Sequence, residues 1–176
     1  FHWLARSLMQ AGWPVLVLEH PGSDAVAVQG LLEGRQSFDG AAALRDRLAD
    51  LAAVLEAQQR GDLNIPGTEV VLMGHSLGAL TALLASGAEL VPGMAQRCEA
   101  ALAGLPLTNL SELLQCELAA GRVLESKAMD PPPRAVVGLN SFGGLIWPHR
   151  ASRALPIPLL MVGGTLDLIT PPLDEQ

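Results

Sequence analysis

A serine between two closely spaced glycines is the feature of this sequence best suited to chemistry. The segment Gly74-His75-Ser76-Leu77-Gly78 follows the apolar run Val70–Met73 and precedes a helical pattern of small residues that starts at Ala79. A strand, a tight Gly-x-Ser-x-Gly turn and a helix form the context in which a serine is exposed as a nucleophile. Because neither flanking glycine has a Cβ atom, the strand and the helix can approach closely. The pattern predicts that Ser76 is a catalytic nucleophile at a nucleophile elbow.

The same turn supplies part of an oxyanion hole. We expect the backbone N–H of Leu77, at the start of the helix, to face the oxygen on which negative charge develops. The alternative is that Ser76 is an ordinary helix N-cap beside two turn glycines. That role explains the serine but not Gly74 and Gly78 together. His75 lies inside the turn, and we expect its side chain to point away from the Ser76 hydroxyl.

A candidate acid follows a later apolar run. Residues 157–162 end in Gly163-Gly164-Thr165-Leu166-Asp167, so Asp167 lies in a loop beyond the carboxyl end of a predicted strand. A serine hydrolase needs such an acid to orient the histidine that activates the serine. The alternative is a turn or N-cap aspartate. Asp174, beyond two prolines, is a weaker candidate for the acid.

Composition and charge exclude several classes of function. The 176 residues suffice for one domain with a substantial core, and at 49% hydrophobic but 3% aromatic residues that core must consist of Leu, Val and Ala. A net charge of −7 argues against nucleic-acid binding, which needs clustered Lys and Arg. No apolar run reaches the roughly 18 residues needed to span a bilayer. Without a Cys-x-x-Cys pair or clustered histidines, we expect no bound metal.

Apolar periodicity divides the chain into alternating helices and strands. Predicted helices cover residues 1–9, 39–60 and 77–89, and predicted strands cover 15–18, 68–73, 134–139 and 157–162. This alternation predicts the α/β class, with a parallel sheet and helices on both faces. Ligands bind such sheets beyond the carboxyl ends of the strands. We therefore expect Ser76 and Asp167 at one sheet edge, with the Ser76 strand in a central position.

Residues 90–133 interrupt the alternation between two core segments, 1–89 and 134–176. Helices are predicted near residues 94–103 and 109–122, as a helical cap over the sheet edge. The alternative is one ordinary helix with a long loop. Cys98 and Cys116 fall on the two helices and are either a disulfide or two buried free thiols. The sequence therefore leaves open whether the protein is cytoplasmic or exported, and it gives no oligomeric state.

These motifs resemble the α/β-hydrolase superfamily, in particular the bacterial dienelactone hydrolase-like and platelet-activating factor acetylhydrolase-like serine esterases. The resemblance rests on the elbow, on the turn His20-Pro21-Gly22-Ser23-Asp24, and on Gly164-Thr165-Leu166-Asp167 with Thr170-Pro171-Pro172 after it. It implies an enzyme with an α/β-hydrolase fold that hydrolyses small-molecule carboxylic esters without a metal or organic cofactor. The family order is serine, then acid, then histidine. An apolar cap implies a hydrophobic acyl or alcohol group in the substrate.

The resemblance also implies that the chain is an internal piece, truncated at both ends. Nine residues follow Asp167 (176 − 167), too few for the family's histidine, and the loop with the second oxyanion N–H would precede Phe1. His20, expected at a strand end along the edge of the site, or His149 could replace that histidine only by breaking the family order. The alternative from another class is a non-catalytic binding or interaction module with the same fold.

Overall fold

The computed structural model describes residues 2–104, 109–119, 128–148 and 155–175. The chain forms two compact units, one of residues 1–38 and 46–68 and the other of residues 39–45 and 69–176. Seven helices and one three-stranded parallel sheet lie in the described residues. The predicted α/β class is confirmed at this level, whereas a sheet of three strands is too small to identify the α/β-hydrolase fold.

The first unit is helical. It contains α1 (His2–Gln10), α2 (Ala25–Leu32) and most of α3 (Gly40–Gln59). Gly12 follows α1, and its φ of +88° places it in the left-handed region that glycine tolerates and that commonly ends a helix. Asp39 begins α3, where its carboxylate accepts the Ala42 N–H at 2.9 Å. Helix α2 has no counterpart in the sequence-based prediction, although Asp24 caps it by accepting the Ala27 N–H at 2.9 Å.

The predicted strand over residues 15–18 is wrong. The segment has no strand structure, and Leu16 and Val17 are each 51% exposed. An apolar run becomes a strand only when another strand pairs with its backbone, and the described part of this unit contains none. His20 therefore does not follow a strand end.

The second unit contains the parallel sheet. Its strands are β1 (Val71–His75), β2 (Ala135–Leu139) and β3 (Leu159–Val162), in the order β1-β2-β3. All three were expected from the apolar runs, with boundaries displaced by up to three residues. The expected central position of the Ser76 strand is wrong, because β1 pairs only with β2 among the described residues.

Helix α4 (Leu77–Ala85) packs on one face of this sheet. Leu72 and Val136 on that face are buried, as is α4 from Ala79 onward. Alternate side chains point to the opposite face, where four are 40–57% exposed: Val71, Met73, Leu160 and Val162. Among the described helices of this unit, the expectation of helices on both faces is therefore wrong. Apolar residues at successive positions indicate where burial is possible but not which element provides it.

The insertion forms α5 (Met94–Gly104) and α6 (Ser111–Ala119), and α7 (Pro172–Glu175) follows the Asp167 loop. Both insertion helices were predicted, although the expected end of the second one, at Arg122, lies outside the described residues. A disulfide joins Cys98 of α5 to Cys116 of α6, with 5.5 Å between their Cα atoms. The two helices are thus cross-linked as well as packed together.

We expect the double substitution Cys98→Ser, Cys116→Ser to lower the free energy of unfolding by about 3 kcal/mol, because the 18-residue separation makes loop closure a substantial entropic constraint on the unfolded chain. Urea unfolding of the oxidised protein and the variant measures this difference. Dithiothreitol should make the two curves coincide. A wild-type curve that does not respond to the reductant would contradict the prediction.

Candidate active site

Ser76 is the single residue that connects β1 to α4. Its backbone angles, φ 53° and ψ −119°, are strained for a residue with a Cβ atom. The turn is held by the Ser76 N–H, which donates to the Leu139 carbonyl at 3.0 Å, and by the Ser76 carbonyl, which accepts the Ala79 N–H at 2.9 Å. The predicted strained elbow is confirmed. Ser76 occupies the N-cap position of α4, but its side chain accepts no N–H of the helix, so a capping hydrogen bond does not explain the serine.

The elbow requires the glycine that precedes His75. A Cβ atom on Gly74 would overlap the carbonyl group of Gly78, so an alanine cannot fit between strand and helix without a shift of the backbone. The N–H of Leu77 is the first amide of α4, and the amides of a first helical turn have no acceptor within the helix. This N–H is therefore suited to bind a developing oxyanion. His75 is exposed and alternates with Gly74 on the strand, as expected for a side chain directed away from the helix.

The Asp167 carboxylate receives four hydrogen bonds. Oδ1 accepts the backbone N–H groups of Ile169 and Thr170 at 2.8 and 2.9 Å. Oδ2 accepts the Thr170 hydroxyl at 2.8 Å and the side-chain amide of Asn140. The Thr170 N–H and then the Asn140 amide are the main causes that hold the pKa of Asp167 well below its ordinary value of 3.8. Asp167 is thus ionised and fixed in its loop.

These bonds also limit how a histidine can approach. A carboxylate offers about four lone-pair positions, and all four have a donor. A histidine N–H would have to share Oδ2 with Asn140 or displace its amide. Asn140 is the first residue after β2, and its φ of +42° is a conformation that asparagine tolerates better than most residues.

The end of β2 brings the two candidate catalytic residues to one sheet edge. The Leu139 carbonyl accepts the Ser76 N–H, and the next residue, Asn140, donates its side chain to Asp167. The Asn140 N–H also bonds to the carbonyl of Val162, at the end of β3. The expectation that Ser76 and Asp167 share a sheet edge is confirmed.

A second carboxylate, Glu175, lies buried beside this loop and was not predicted from the sequence. Oε1 is within 2.6 Å of the Asn109 amide and of the Ser111 hydroxyl, and Oε2 accepts the N–H groups of Gly143 and Gly144 at 2.7 and 2.8 Å. The Gln115 amide lies 3.0–3.2 Å from both oxygens. The signal in the sequence was the pair of polar residues at 111 and 115, which share one face of a helix.

Of the two candidate histidines, His20 lies within the described residues. His20, in the first unit, is buried and its Nδ1 lies 2.9 Å from Asp50 Oδ2. Burial lowers the pKa of His20 more than the bond to Asp50 raises it, so the imidazole is neutral near pH 7. His149 lies outside the described residues.

The described residues contain no cluster of three or more His, Cys, Asp or Glu side chains suited to a metal ion. None of their helices combines the length and apolar character needed to cross a membrane. No family model, curated protein or solved structure matches the chain. The function is therefore argued from the geometry of the elbow and of the Asp167 loop.

We expect Gly74→Ala to destabilise the fold by about 1–3 kcal/mol, the usual cost of forcing an extra methyl group into packed structure. Gly104→Ala is the matched control, because a Cβ atom there meets nothing within 4 Å. It should leave stability unchanged or raise it by up to about 1 kcal/mol. Urea unfolding of both variants measures the difference. Equal stability of the two would contradict the close approach at the elbow.

Asp167→Asn should lower the free energy of unfolding at pH 7, and the deficit should shrink in acid. The folded pKa of Asp167 lies below its ordinary 3.8, so its stabilising contribution is complete above the unfolded pKa and is lost as the pH falls toward the folded one. Unfolding curves from pH 7 to pH 2.5 measure this trend, with Asp174→Asn as the control for loss of a nearby charge. A deficit that is independent of pH would contradict the assignment.

Proposed function

We propose that this chain carries the nucleophile, the acid and one oxyanion donor of a serine hydrolase that acts on carboxylic esters, within an α/β-hydrolase fold. The main support is the strained Ser76 elbow, which shares the end of β2 with the ionised Asp167. Strain of about 1–3 kcal/mol at a non-glycine residue is typical of functional sites. An N-cap serine would not require it.

In the proposed mechanism, Ser76 Oγ attacks the ester carbonyl carbon while a histidine removes its proton. The Leu77 N–H and a second donor stabilise the tetrahedral oxyanion. The histidine then protonates the leaving alcohol, and water attacks the acyl-enzyme in the same way. Asp167 holds the histidine in its reactive tautomer. Neither the histidine nor the second oxyanion donor is assigned to a described residue, and the mechanism requires both.

The side chains around Asp167 support a hydrophobic substrate. Leu166, Leu168 and Ile169 are 92%, 69% and 59% exposed beside the carboxylate. An exposed apolar rim around a polar centre is suited to the acyl or alcohol part of a small-molecule ester. The proposal requires no metal or organic cofactor.

The second candidate function is a non-catalytic interaction module with the same fold. Two observations favour it: the four donors already on Asp167, and the position of β1 at the edge of the described sheet. A strand edge can pair with another chain. The edge position also counts against an α/β-hydrolase sheet complete within the described residues, so the hydrolase proposal requires a further strand beside β1.

Hydrolysis of p-nitrophenyl esters of increasing acyl length tests the proposal. Residues 1–176 alone should show negligible activity, since one lost oxyanion donor costs about 10²–10³ in rate and an unactivated serine costs more. A longer form that supplies the histidine should be active, and Ser76→Ala should reduce its kcat to near background. Ser7→Ala, on exposed α1, is the matched control.

Full esterase activity in the Ser76→Ala protein would overturn the mechanism. A longer form that folds and hydrolyses none of the esters would favour the interaction module. The folded state of each variant is checked by circular dichroism. Removal of the Ser76 hydroxyl oxygen should leave stability nearly unchanged.

A further inference from the structure

Glu175 ties together three segments around the acid loop. Its carboxylate, on α7, is bound by Asn109, Ser111 and Gln115 from the start of α6, and by the backbone N–H groups of Gly143 and Gly144 after β2. Gln115 adds a second connection between α6 and the loop after β2, because its side-chain oxygen accepts the Leu145 N–H at 2.9 Å. A group bonded to so many rigid partners fixes the position of the backbone that carries it.

The groups that bind the Glu175 carboxylate form a closely fitting cage, which consists of Asn109, Ser111, Gln115 and the N–H groups of Gly143 and Gly144. The side chains of Asn109, Ser111, Gln115 and Glu175 are all buried. A Cβ atom on Gly144 would overlap the backbone carbonyl of Asp174 and contact Glu175, so a glycine is required for the loop after β2 to reach α7. Burial of a carboxylate is costly unless hydrogen bonds replace its water. Five donors do so here.

The cage and Asp167 use the same two loops. At the start of the loop after β2, the Asn140 amide donates to Asp167, and a few residues later the N–H groups of Gly143 and Gly144 donate to Glu175. The loop after β3 carries Asp167 in its middle, and it leads directly into the helix of Glu175. The Ser111 N–H also donates to the Ile169 carbonyl at 3.0 Å, beside Asp167. Loss of the Glu175 bonds would thus free one side of both loops.

From this arrangement we infer that Glu175 is a positioning residue for Asp167: its buried carboxylate holds the loop after β2 against the acid loop so that the Asn140–Asp167 contact is maintained. The inference rests on the proposed function for its catalytic meaning. The positional effect itself can be measured without a substrate.

Substitution Glu175→Gln keeps the shape of the side chain and removes its charge. Two effects on Asp167 then have opposite signs. Loss of a nearby negative charge would lower the pKa of Asp167, whereas loss of the Asn140 contact and of loop order would raise it. Asp174 is the other acidic residue of α7. Both carboxylates of α7 act on Glu112 of α6, whose pKa is raised by burial and then by the charges of Glu175 and Asp174. Asp174→Asn is therefore the matched control for charge alone.

The experiment follows the carboxyl ¹³C chemical shift of Asp167 by NMR from pH 6 to pH 2 in the wild type, Glu175→Gln and Asp174→Asn. The acid dissociation constant is taken from the protonated fraction at the acid end of this range, because the pKa of Asp167 in the wild type lies well below its ordinary value. We expect the acid dissociation constant of Asp167 to fall at least about threefold in Glu175→Gln and to stay equal or rise in Asp174→Asn. An unchanged or increased constant in Glu175→Gln overturns the inference. If that variant does not fold, Ser111→Ala and Asn109→Ala, which each remove one donor, must shift the constant in the same direction, and no shift in either overturns it.

In a catalytically active longer form, Glu175→Gln should lower kcat by about 10- to 100-fold with little change in KM, as a small misplacement of catalytic groups does. Asp174→Asn should retain activity. Full activity of Ser76→Ala would contradict the proposed function, whereas the effect of Glu175 on the titration of Asp167 would still hold. If Asp167 titrates in Glu175→Gln as it does in the wild type, the positioning role of Glu175 is contradicted and the proposed function is unaffected.

Discussion

The pairing of β2 with a strand on each side is the constraint on which the candidate site depends. Parallel pairing places the ends of β1, β2 and β3 at one sheet edge. Two consecutive residues at the end of β2 then serve both halves of the site, Leu139 through its carbonyl to Ser76 and Asn140 through its amide to Asp167. A shift of one residue in this register would turn the side chain after β2 to the other face. The relative position of Ser76 and Asp167 is therefore a property of strand register rather than of loop length.

The two carboxylates at this edge are held by dipoles rather than by cations. Asp167 and Glu175 accept their hydrogen bonds from backbone N–H groups, side-chain amides and hydroxyl groups. Such donors stay fixed when a proton moves nearby, which suits a site whose charge distribution changes during a reaction. A lysine or arginine partner would neutralise the carboxylate that a histidine needs. Such an arrangement requires rigidity, because the backbone and side-chain donors must all be held in place.

Local patterns predicted the elbow, the Asp167 loop and most of the elements. Each depends on residues adjacent in sequence: two glycines around Ser76, an apolar run before Asp167, and the apolar periodicity of the predicted helices. The failures concern long-range partners. The run over residues 15–18 has the composition of a buried strand, but pairing decides whether it becomes one. Likewise, the bonds that connect Asn109 with Glu175 span 66 residues, and no local spacing reveals them. Tertiary contacts of this kind also determine that Asn140 fills a position on Asp167 expected for histidine.

The exposed face of the sheet connects the stability of the elbow with its chemistry. Val71 and Met73 alternate with buried Leu72, so β1 is apolar on both sides, as in strands covered by two layers. The strained Ser76 is restrained through β2 on one side only, and the other edge of β1 has no described partner. A strand bound at that edge, with a layer over Val71 and Met73, would restrain the elbow from both sides. Because strain persists only where the surroundings over-determine it, a partner at that edge would stabilise the fold and hold Ser76 in its strained conformation at the same time.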